Sequence, residues 1–469
     1  MRLGIAIMAA GKGTRLKSKR AKVLHEIGGK PLLRHVIAAA AQIVPARDIV
    51  VIVGHQAEAV AAAVRDTGVR FVVQEKQRGT GHAIQCAERE TRAYDMLIVL
   101  SGDVPLLQAE TILALRDFHL NERAAMTILS AEAPNPFGYG RVIRREPDAP
   151  DVAAIVEQKA LKPGMEGVRE INSGIYAFRR RALYENIGQL RANNAQRELY
   201  LTDMARLLAE AGKRVVAVSA AQPTEVLGAN TIAEMMDLDR EMRRAEAGRL
   251  MAAGVTIFRP ETVTIDAGVE VGSDTVIEPF VQLLGETKIG ADCRIRSYSV
   301  LESAMLGDRV IVRQGCVIAE SQIDKGALIG PFAHVRPGCH IGEGAHVGNF
   351  VETKKTRMGR GSKANHLAYL GDAVVGAATN IGAGTITCNY DGENKHATVI
   401  GDRVFIGSDS ALVAPVTIGE GAYVGAGSVI TEDVPADALA LGRARQVNKL
   451  QWARNRRARQ EARKPGSMS

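Results

Sequence analysis

Two patterns of hydrophobic and polar residues divide the chain near Gly254. Before this point, short apolar runs alternate with helix-like stretches. Strands are predicted at Leu3–Ala9, Ile49–Val53, 71–74 and 96–100, and an amphipathic helix at 32–43. Such alternation is typical of an α/β domain with a doubly wound, mainly parallel sheet, which we place at residues 1–230. Residues 231–253 lack proline and mix charged with apolar positions at helical spacing, so a helical linker is predicted there.

After Gly254, aliphatic residues recur every six positions. The recurrence holds in three successive registers: Ile265, Val271, Ile277, Leu283, Ile289, Ile295 and Leu301; then Ile311, Val317, Ile323, Ile329, Val335, Ile341 and Val347; then Ile400, Ile406, Leu412, Ile418, Val424 and Ile430. A period of six fits no α-helix or simple hairpin, but it fits a parallel β-helix whose coils have three faces of about six residues each. We therefore predict an all-β domain at 254–450, in which stacked coils bury the aliphatic column.

The repeat is interrupted between Val347 and Ile400 by polar segments that contain histidine and lysine. A solenoid accepts insertions as loops from one face, so we expect these segments to contribute little to the buried column. One interpretation is a decorated turn. The other is a site carried by a rigid scaffold.

The bulk composition narrows the class of protein. The chain has 469 residues and a net charge of +8, and much of the excess lies in residues 451–469, which we predict to be a disordered basic tail. No recognition motif accompanies this charge, so nucleic-acid binding is not expected. The five cysteines form no Cys-x-x-Cys pair, which argues against a disulfide framework or a zinc site. No signal peptide or membrane span is visible, and a cytoplasmic protein is predicted.

A glycine-rich segment follows the first predicted strand directly. Small residues there let the backbone approach a nucleotide, and free N–H groups can cradle phosphate oxygens. Arg15 adds a charged fork for the same oxygens. The segment fits neither the dinucleotide-binding fingerprint nor the P-loop pattern. Its expected phosphate-contacting residues are Met8, Ala9, Ala10 and Gly11.

Further motifs follow in a fixed order, and together with the glycine-rich segment they resemble the signature of the sugar nucleotidyltransferases. They are Lys22, Gln74, Gly79, Thr80, Ser101, Gly102, Asp103, Gly140, Glu157, Asn172 and Asn230. The resemblance implies a Rossmann-like fold, base reading by the loop around Gly79, and catalysis by Arg15 and Lys22. A carboxylate at a strand's C-terminal end can hold Mg²⁺, which suits Asp103. The resemblance adds Asn230 as the second metal ligand.

Three positions depart from the pattern of that family. Ala21 stands where proline usually precedes the lysine, Ser101 where many relatives have tyrosine, and Met8 where leucine is common. Ser101 removes an aromatic contact, so it bears on selectivity for the sugar or the base.

Taken whole, residues 1 to about 450 resemble the bacterial bifunctional glucosamine-1-phosphate N-acetyltransferase/N-acetylglucosamine-1-phosphate uridyltransferase family, whose second domain is a left-handed β-helix. Acetyl transfer requires a neutral amine, and a histidine is the usual base. His366, in an H-L-x-Y-L-G-D segment, is the candidate, with Glu352 as a group that could orient it. The resemblance also implies contacts to the sugar phosphate by Arg336, Lys354, Tyr369 and Asn380. It implies acetyl-CoA contacts by Ala383, Asn389, Tyr390, Ser408, Ala426 and Arg443.

The resulting expectation is a two-site enzyme that is assembled as a homotrimer. It acetylates glucosamine 1-phosphate with acetyl-CoA and then couples N-acetylglucosamine 1-phosphate to UTP with Mg²⁺, which releases pyrophosphate. One alternative is a monofunctional nucleotidyltransferase with a purely structural β-helix, which would have no need for His366, Lys354 or Tyr369. Another is a non-enzymatic scaffold or nucleic-acid-binding protein that uses its basic tail.

Overall fold

The computed structural model describes residues 1–133, 135–146, 149–165, 167–194 and 196–462. They divide into two compact units. The first comprises Met1–Arg249 with Ile265–Ala267, and the second comprises Leu250–Thr264 with the described residues from Gly268 onward. The predicted helical linker corresponds to a helix over Ile232–Ala252, which spans the boundary.

The first unit is built around one mixed sheet. Its strands are β1 (Leu3–Ala9), β2 (Glu26–Ile27), β3 (Lys30–Pro31), β4 (Ile49–Val53), β5 (Arg70–Val73), β6 (Met96–Ser101), β7 (Met126–Glu132), β8 (Arg141–Arg144), β9 (Val152–Val156), β10 (Glu170–Arg179) and β11 (Val215–Ser219). The main sheet runs β11-β7-β10-β6-β1-β4-β5, and β2 pairs with β3 alone. Neighbours are parallel except where β10 runs antiparallel to β6 and β7. Strands β8 and β9 extend the sheet as an antiparallel pair.

Helices cover both faces of this sheet. They are α1 (Leu32–Ala41), α2 (Ala57–Ala63), α3 (Thr80–Cys86), α4 (Glu88–Thr91), α5 (Ala109–Asn121), α6 (Arg180–Asn186), α7 (Asp203–Glu210) and α8 (Ile232–Ala252). Successive residues of β6 point alternately to the two helical layers. Ile98 and Leu100 pack with the cluster that includes α1 and α5, whereas Leu97 and Val99 pack with α3, α6 and α7. A strand that is buried on both faces has a continuous run of apolar residues. This run is why β6 could be predicted from the sequence.

The second unit is a left-handed β-helix with three parallel sheets. The strands of the first sheet are β12 (Thr256–Ile257), β15 (Val276–Ile277), β18 (Arg294–Ile295), β21 (Ile311–Val312), β24 (Leu328–Ile329), β27 (His346–Asn349), β30 (Lys363–His366), β33 (Asn380–Ile381), β36 (Phe405–Ile406), β39 (Tyr423–Val424) and β41 (Leu439–Ala440). Those of the second are β13 (Thr264–Ile265), β16 (Gln282–Leu284), β19 (Val300–Glu302), β22 (Val317–Ala319), β25 (His334–Val335), β28 (Glu352–Lys354), β31 (Tyr369–Gly371), β34 (Ile386–Cys388), β37 (Ala411–Val413) and β40 (Val429–Ile430). Those of the third are β14 (Glu270–Val271), β17 (Lys288–Ile289), β20 (Met305–Leu306), β23 (Gln322–Ile323), β26 (His340–Ile341), β29 (Arg357–Met358), β32 (Ala373–Val375), β35 (Thr398–Ile400) and β38 (Val416–Ile418).

The buried column differs from the predicted one at two positions. Ile311 and Val317 are exposed, and their neighbours Val312 and Ile318 point inward. The reason is a shorter coil, because Leu301 pairs with Ile318, 17 positions further on. A shift of one residue exchanges the inward and outward faces of a strand.

The interruption predicted between Val347 and Ile400 is mostly regular coil. The inward positions there are filled by Thr353, Met358, Ala364, Leu370 and Thr387, which are all buried. The insertion itself is shorter. Lys363 pairs with Asn380 17 positions on, but Asn380 pairs with Phe405 25 positions on, so the extra residues lie between them. Threonine and alanine at inward positions hide the repeat from a search for aliphatic residues.

The basic tail also differs from the prediction of disorder. Residues Trp452–Ala462 form the helix α9, all of whose residues are exposed. Alanine, arginine, glutamine and glutamate favour helix, and the Arg456 guanidinium lies 5.1 Å from the centre of the Trp452 ring one turn away. The remainder of the tail, including Arg463 and Lys464, lies outside the described residues. Within the described part of the chain, no helix is both long enough and apolar enough to cross a membrane.

Candidate functional site

The glycine-rich segment leaves the carboxyl end of β1 and turns around Gly13. This residue has φ of +60°, and a Cβ placed on it would lie 2.6 Å from the Cβ of Lys22. Glycine is therefore required both by the backbone conformation and by the close approach of Lys22. The turn brings Lys22 to the carboxyl end of β6. Ser101 is the last residue of that strand, and Gly102 and Asp103 follow it.

A cavity of about 480 Å³ opens at this carboxyl edge of the sheet. The predicted residues that line it are Met8, Ala9, Ala10, Gly11, Lys22, Gln74, Gly79, Thr80, Ser101 and Asp103. The edge is where the crevice of a doubly wound sheet binds ligands. Lys12, Gln77 and Glu198 also line the cavity. Lys12 belongs to the glycine-rich segment, so that motif could have identified it as a site residue. Gln77 and Glu198 belong to no motif, and the sequence did not identify them.

Lys22 holds together the two residues predicted to bind the metal. Its ammonium forms an ion pair with an Asp103 carboxylate oxygen, and it donates a hydrogen bond of 3.1 Å to Oδ1 of Asn230. Both side-chain oxygens therefore converge on one cation. Carboxylate and amide oxygens are ligands that Mg²⁺ accepts. The side-chain oxygens of Asp103 and Asn230 therefore fit a magnesium ion bound beside the Lys22 ammonium.

The loop around Gly79 is held by the buried Gln74. Its Nε2 donates to the Gly79 carbonyl at 3.0 Å and lies 3.0 Å from Nδ1 of His82. A Cβ on Gly79 would lie 2.6 Å from the Leu199 carbonyl oxygen, so the backbones approach closely here. The Thr80 hydroxyl accepts a hydrogen bond from the Leu201 amide at 2.9 Å. This loop is therefore rigidly placed beside the cavity.

The remaining predicted residues do not line the cavity. They are Arg15, Gly102, Gly140, Glu157, Asn172 and Asn230. Arg15 is exposed on the turn after Gly13. The Asn172 amide N–H donates to the Gly140 carbonyl at 2.9 Å, and its side chain donates to the Tyr176 hydroxyl at 2.9 Å. Burial raises the pKa of Glu157, which accepts a hydrogen bond from the Thr202 hydroxyl at 3.2 Å.

In the second unit, His366 is exposed at the end of β30. Its Nδ1 lies 2.6 Å from the side-chain oxygen of Asn349, which is its register partner on β27. The Asn349 oxygen can only accept, so Nδ1 carries the proton and Nε2 keeps its lone pair for a base. Glu352 was expected to orient His366, but it forms an ion pair with Arg336 at 2.8 Å. Sequence reasoning missed Asn349, since no motif marks it.

Basic side chains gather beside the next strand. Lys354 ends β28 and lies in register with Gly371 of β31. The nearby ammonium of Lys395 and the guanidinium of Arg336 lower the pKa of Lys354. Three neighbouring cations, with the carboxylates of Glu352 and Asp372 beside them, form a place for an anion. A Cβ on Gly371 would lie 2.5 Å from the Tyr369 hydroxyl and 2.8 Å from the Asn389 amide nitrogen, so these side chains meet above that glycine.

The residues predicted to contact acetyl-CoA follow a column that starts at His366. The Gly384 amide donates to the Leu367 carbonyl at 3.1 Å, Asp409 to Ala383 at 2.7 Å, and Gly427 to Ser408 at 2.8 Å. Ala383, Ser408 and Ala426 therefore occupy the same corner of successive coils. Arg443 approaches this corner, with its Cδ 3.9 Å from a Cβ placed on Gly427. Asn380 begins β33 on the sheet that carries His366.

The insertion contributes Asn389 and Tyr390. The Asn389 amide donates to the Asp372 carboxylate at 2.5 Å, and Tyr390 is exposed. Backbone N–H groups of Asn394 and Glu393, with His396, hold the pKa of Asp391 well below its usual range. The Asp391 carboxylate thus fixes the turn and places Lys395 beside Lys354.

Together the fold and these clusters define a nucleotidyltransferase domain followed by a hexapeptide-repeat transferase domain. The model described as "MobA-like NTP transferase domain" matches residues 5–206, and "Bacterial transferase hexapeptide (six repeats)" matches 268–303, 320–355 and 397–432.

Similar proteins cover nearly the whole chain. The Bifunctional protein GlmU of Koribacter versatilis (strain Ellin345) is 57% identical over 464 residues, covering 99% of both chains. The GlmU protein of Solibacter usitatus (strain Ellin6076) is 50% identical over 97% of both chains. That of Trichlorobacter lovleyi is 45% identical over 96% of this chain and 98% of its own. The chain belongs to this family of bifunctional proteins.

Proposed function

We propose that the chain makes UDP-N-acetylglucosamine at two separate sites, with acetyl transfer at His366 and uridylyl transfer at Asp103. Family membership makes it a bifunctional enzyme, an acetyltransferase and a uridylyltransferase that acts on sugar phosphates. The observation that carries the assignment of sites is that each compact unit holds its own cluster. The cluster of Lys22, Asp103 and Asn230 lies in the first unit. His366 and the basic cluster at Lys354 lie in the second.

For uridylyl transfer, a phosphate oxygen of N-acetylglucosamine 1-phosphate attacks the α-phosphorus of UTP. The new P–O bond forms as the bond to the bridging oxygen breaks, and pyrophosphate leaves. Asp103 and Asn230 would hold Mg²⁺, which neutralises phosphate charge when bound. Lys22 stays beside them as a second positive charge, and exposed Arg15 can swing over the phosphates. Gly79, Thr80 and Gln74 form the part of the cavity wall that we assign to the base. We assign Glu157 and Asn172, which lie outside that wall, to the sugar.

For acetyl transfer, the amine of glucosamine 1-phosphate attacks the thioester carbonyl of acetyl-CoA, and the CoA thiolate leaves. Nε2 of His366 takes the proton that the amine must lose. Arg336, Lys354 and Lys395 anchor the sugar phosphate, while Tyr369 and Asn380 orient the ring. The column of Ala383, Ser408, Ala426 and Arg443, with the loop residues Asn389 and Tyr390, guides the CoA.

Asn349 is a positioning residue for this step. Replacing Asn349 by leucine removes the acceptor that keeps the proton on Nδ1 of His366. We expect acetyl transfer to fall about 10- to 100-fold, mainly in kcat, because the tautomer and ring orientation are no longer set. Glu352→Gln, which breaks the ion pair with Arg336, should instead raise KM for the sugar phosphate. Steady-state kinetics of both variants separate the roles, and an unchanged kcat in Asn349→Leu would show that Asn349 is not needed.

We also propose a homotrimer formed through the second unit. Five exposed apolar side chains lie at one corner of the coils and are between 45% and 65% exposed; they are Phe280, Tyr298, Phe332, Phe350 and Leu367. Gly315 occupies this corner in the coil between Tyr298 and Phe332. Phe280 stacks on Tyr298 and Phe332 on Phe350. A ridge of this kind is a feature of association surfaces. Leu367 adjoins His366, so a second copy would border the acetyl site. A light-scattering mass of one chain would contradict this assembly.

The test of the whole proposal is a coupled assay. Purified protein with glucosamine 1-phosphate, acetyl-CoA, UTP and Mg²⁺ should yield UDP-N-acetylglucosamine, pyrophosphate and free CoA. Omission of acetyl-CoA should stop the formation of all three products. Added N-acetylglucosamine 1-phosphate should then restore UDP-N-acetylglucosamine and pyrophosphate, but not free CoA. Omission of Mg²⁺ should stop the formation of UDP-N-acetylglucosamine and pyrophosphate, while free CoA is still released. Uridylyl transfer without any CoA release would instead support the monofunctional alternative.

A further inference from the structure

A second cavity in the first unit lies far from the proposed chemistry. It has a volume of about 620 Å³, and Met96, the first residue of β6, lines it. Asp103 follows the other end of the same strand, so the two cavities open at opposite edges of the sheet. Arg179, the last residue of β10, pairs in register with Met96 and lines the same wall. The size suits a small metabolite, and no step proposed above uses this cavity.

Cations dominate the wall of this cavity. Arg92, Arg179, Arg180 and Arg181 line it, and Asp95 is the acidic residue among the described lining residues. Arg179 donates to the Arg123 carbonyl at 2.9 Å, and the Arg180 guanidinium lies 4.7 Å from the centre of the Tyr184 ring. Neither of these two contacts neutralises a charge, whereas Arg181 forms an ion pair with Glu185 at 2.7 Å. Asp95 supplies one negative charge, and one of its oxygens accepts the Arg2 amide N–H at 2.7 Å. The wall therefore keeps an excess of positive charge.

Two buried polar atoms at this wall have no hydrogen-bond partner among the described residues: Nε2 of His119 and Nε of Arg180. His119 is only 1% exposed, and its Nδ1 lies 2.8 Å from the Thr127 hydroxyl. Burial and the charge of Arg179 lower the pKa of His119 to about 4, so the ring is neutral near pH 7. If the Thr127 hydroxyl donates to Nδ1, the proton lies on Nε2. Unpaired buried donors are rare and costly in folded proteins, and a ligand is one way to satisfy them.

We propose that this cavity binds a small phosphorylated anion. Several guanidinium groups and a neutral imidazole N–H that line one cavity are donors suited to a tetrahedral oxyanion, which offers acceptors on every side. Tyr94, Met96 and Leu120 supply an apolar wall for the remainder of such a molecule. The site is independent of the proposed uridylyl and acetyl reactions, and its occupancy is measurable without either activity.

The experiment follows the imidazole of His119 by NMR in the full chain with ¹⁵N-labelled histidine, with inorganic phosphate as the probe. His119→Gln assigns the resonance among the ten histidines. We expect a saturable shift of the His119 ring signals with phosphate, and no such shift with sodium chloride at matched ionic strength. Loss of one charge-assisted contact should weaken apparent phosphate affinity about tenfold in Arg92→Gln and in Arg179→Gln.

The matched control is Arg89→Gln, one turn before Arg92 and outside the cavity wall, which should leave the affinity unchanged. Arg92 is exposed, so its replacement keeps the test valid even if Arg179→Gln proves unstable. The proposal is overturned if phosphate causes no saturable shift at His119. It is equally overturned if Arg92→Gln binds phosphate as tightly as the unmodified chain. Either result leaves the two proposed catalytic sites untouched, because neither depends on this cavity.

Discussion

Replacing Asp103 by alanine is expected to lower uridylyl transfer about 10³-fold while acetyl transfer continues at its normal rate. The carboxylate is one of two oxygens that converge at Lys22, and without it neither the metal nor the lysine is held over the phosphates. Asp103→Asn keeps an oxygen but loses the charge, so its rate should lie between the two. Pyrophosphate release from UTP with N-acetylglucosamine 1-phosphate measures the first reaction, and CoA release measures the second.

Asp117→Ala is the matched control for this prediction. Asp117 is an exposed aspartate of the same unit that lies on α5 and forms an ion pair with Arg116 at 2.7 Å. It is not among the residues that line the cavity. Its loss should change neither rate. If Asp103→Ala destroys both reactions in a chain that still folds, as judged by circular dichroism, the separation of the two sites is wrong.

The second large effect is expected at His366. Replacement by alanine should lower acetyl transfer about 10³-fold and leave uridylyl transfer intact, because the amine loses its proton acceptor. His366 is exposed, so folding should be little affected. His340→Ala is the control, since this histidine also lies on the β-helix and its imidazole is hydrogen-bonded to the Asp324 carboxylate at 2.8 Å. Retained acetyl transfer in His366→Ala would exclude this imidazole as the base.

These two variants also separate the alternatives that the sequence left open. A nucleotidyltransferase with a purely structural β-helix has no acetyl transfer for His366→Ala to remove. A scaffold protein would have neither reaction. The membership in a family of bifunctional proteins favours the two-site enzyme, and the pair of variants assigns each reaction to its own unit.

Several features were predictable because they depend on short stretches of chain. Buried strands such as β4 and β6 are continuous apolar runs, and their bounds in the structure match the pattern within a residue. The six-residue repeat located most of the buried column. The order of motifs also placed Lys22, Gln74, Gly79 and Asp103 around one cavity.

Other features could not be predicted, since they arise from residues distant in sequence. Asn349 reaches His366 only because two coils stack in register. Glu352 likewise pairs with Arg336, which lies 16 positions earlier on the neighbouring coil, because those two coils stack. Ile311 and Val317 were assigned inward because a one-residue shortening of the coil leaves no mark on composition. Lys395 meets Lys354 only after the Asp391 turn has folded.

By itself, the sequence determined the two kinds of domain and the chemical character of both clusters, because periodicity and motif order are local properties of the chain. Tertiary structure alone decided which side chains come together: Lys22 contacts Asn230, His366 contacts Asn349, and His119 lines a cavity with four arginines. The physical reason is that hydrogen bonds and ion pairs act over a few ångströms, and only folding brings residues from 17 to 208 positions apart within that range.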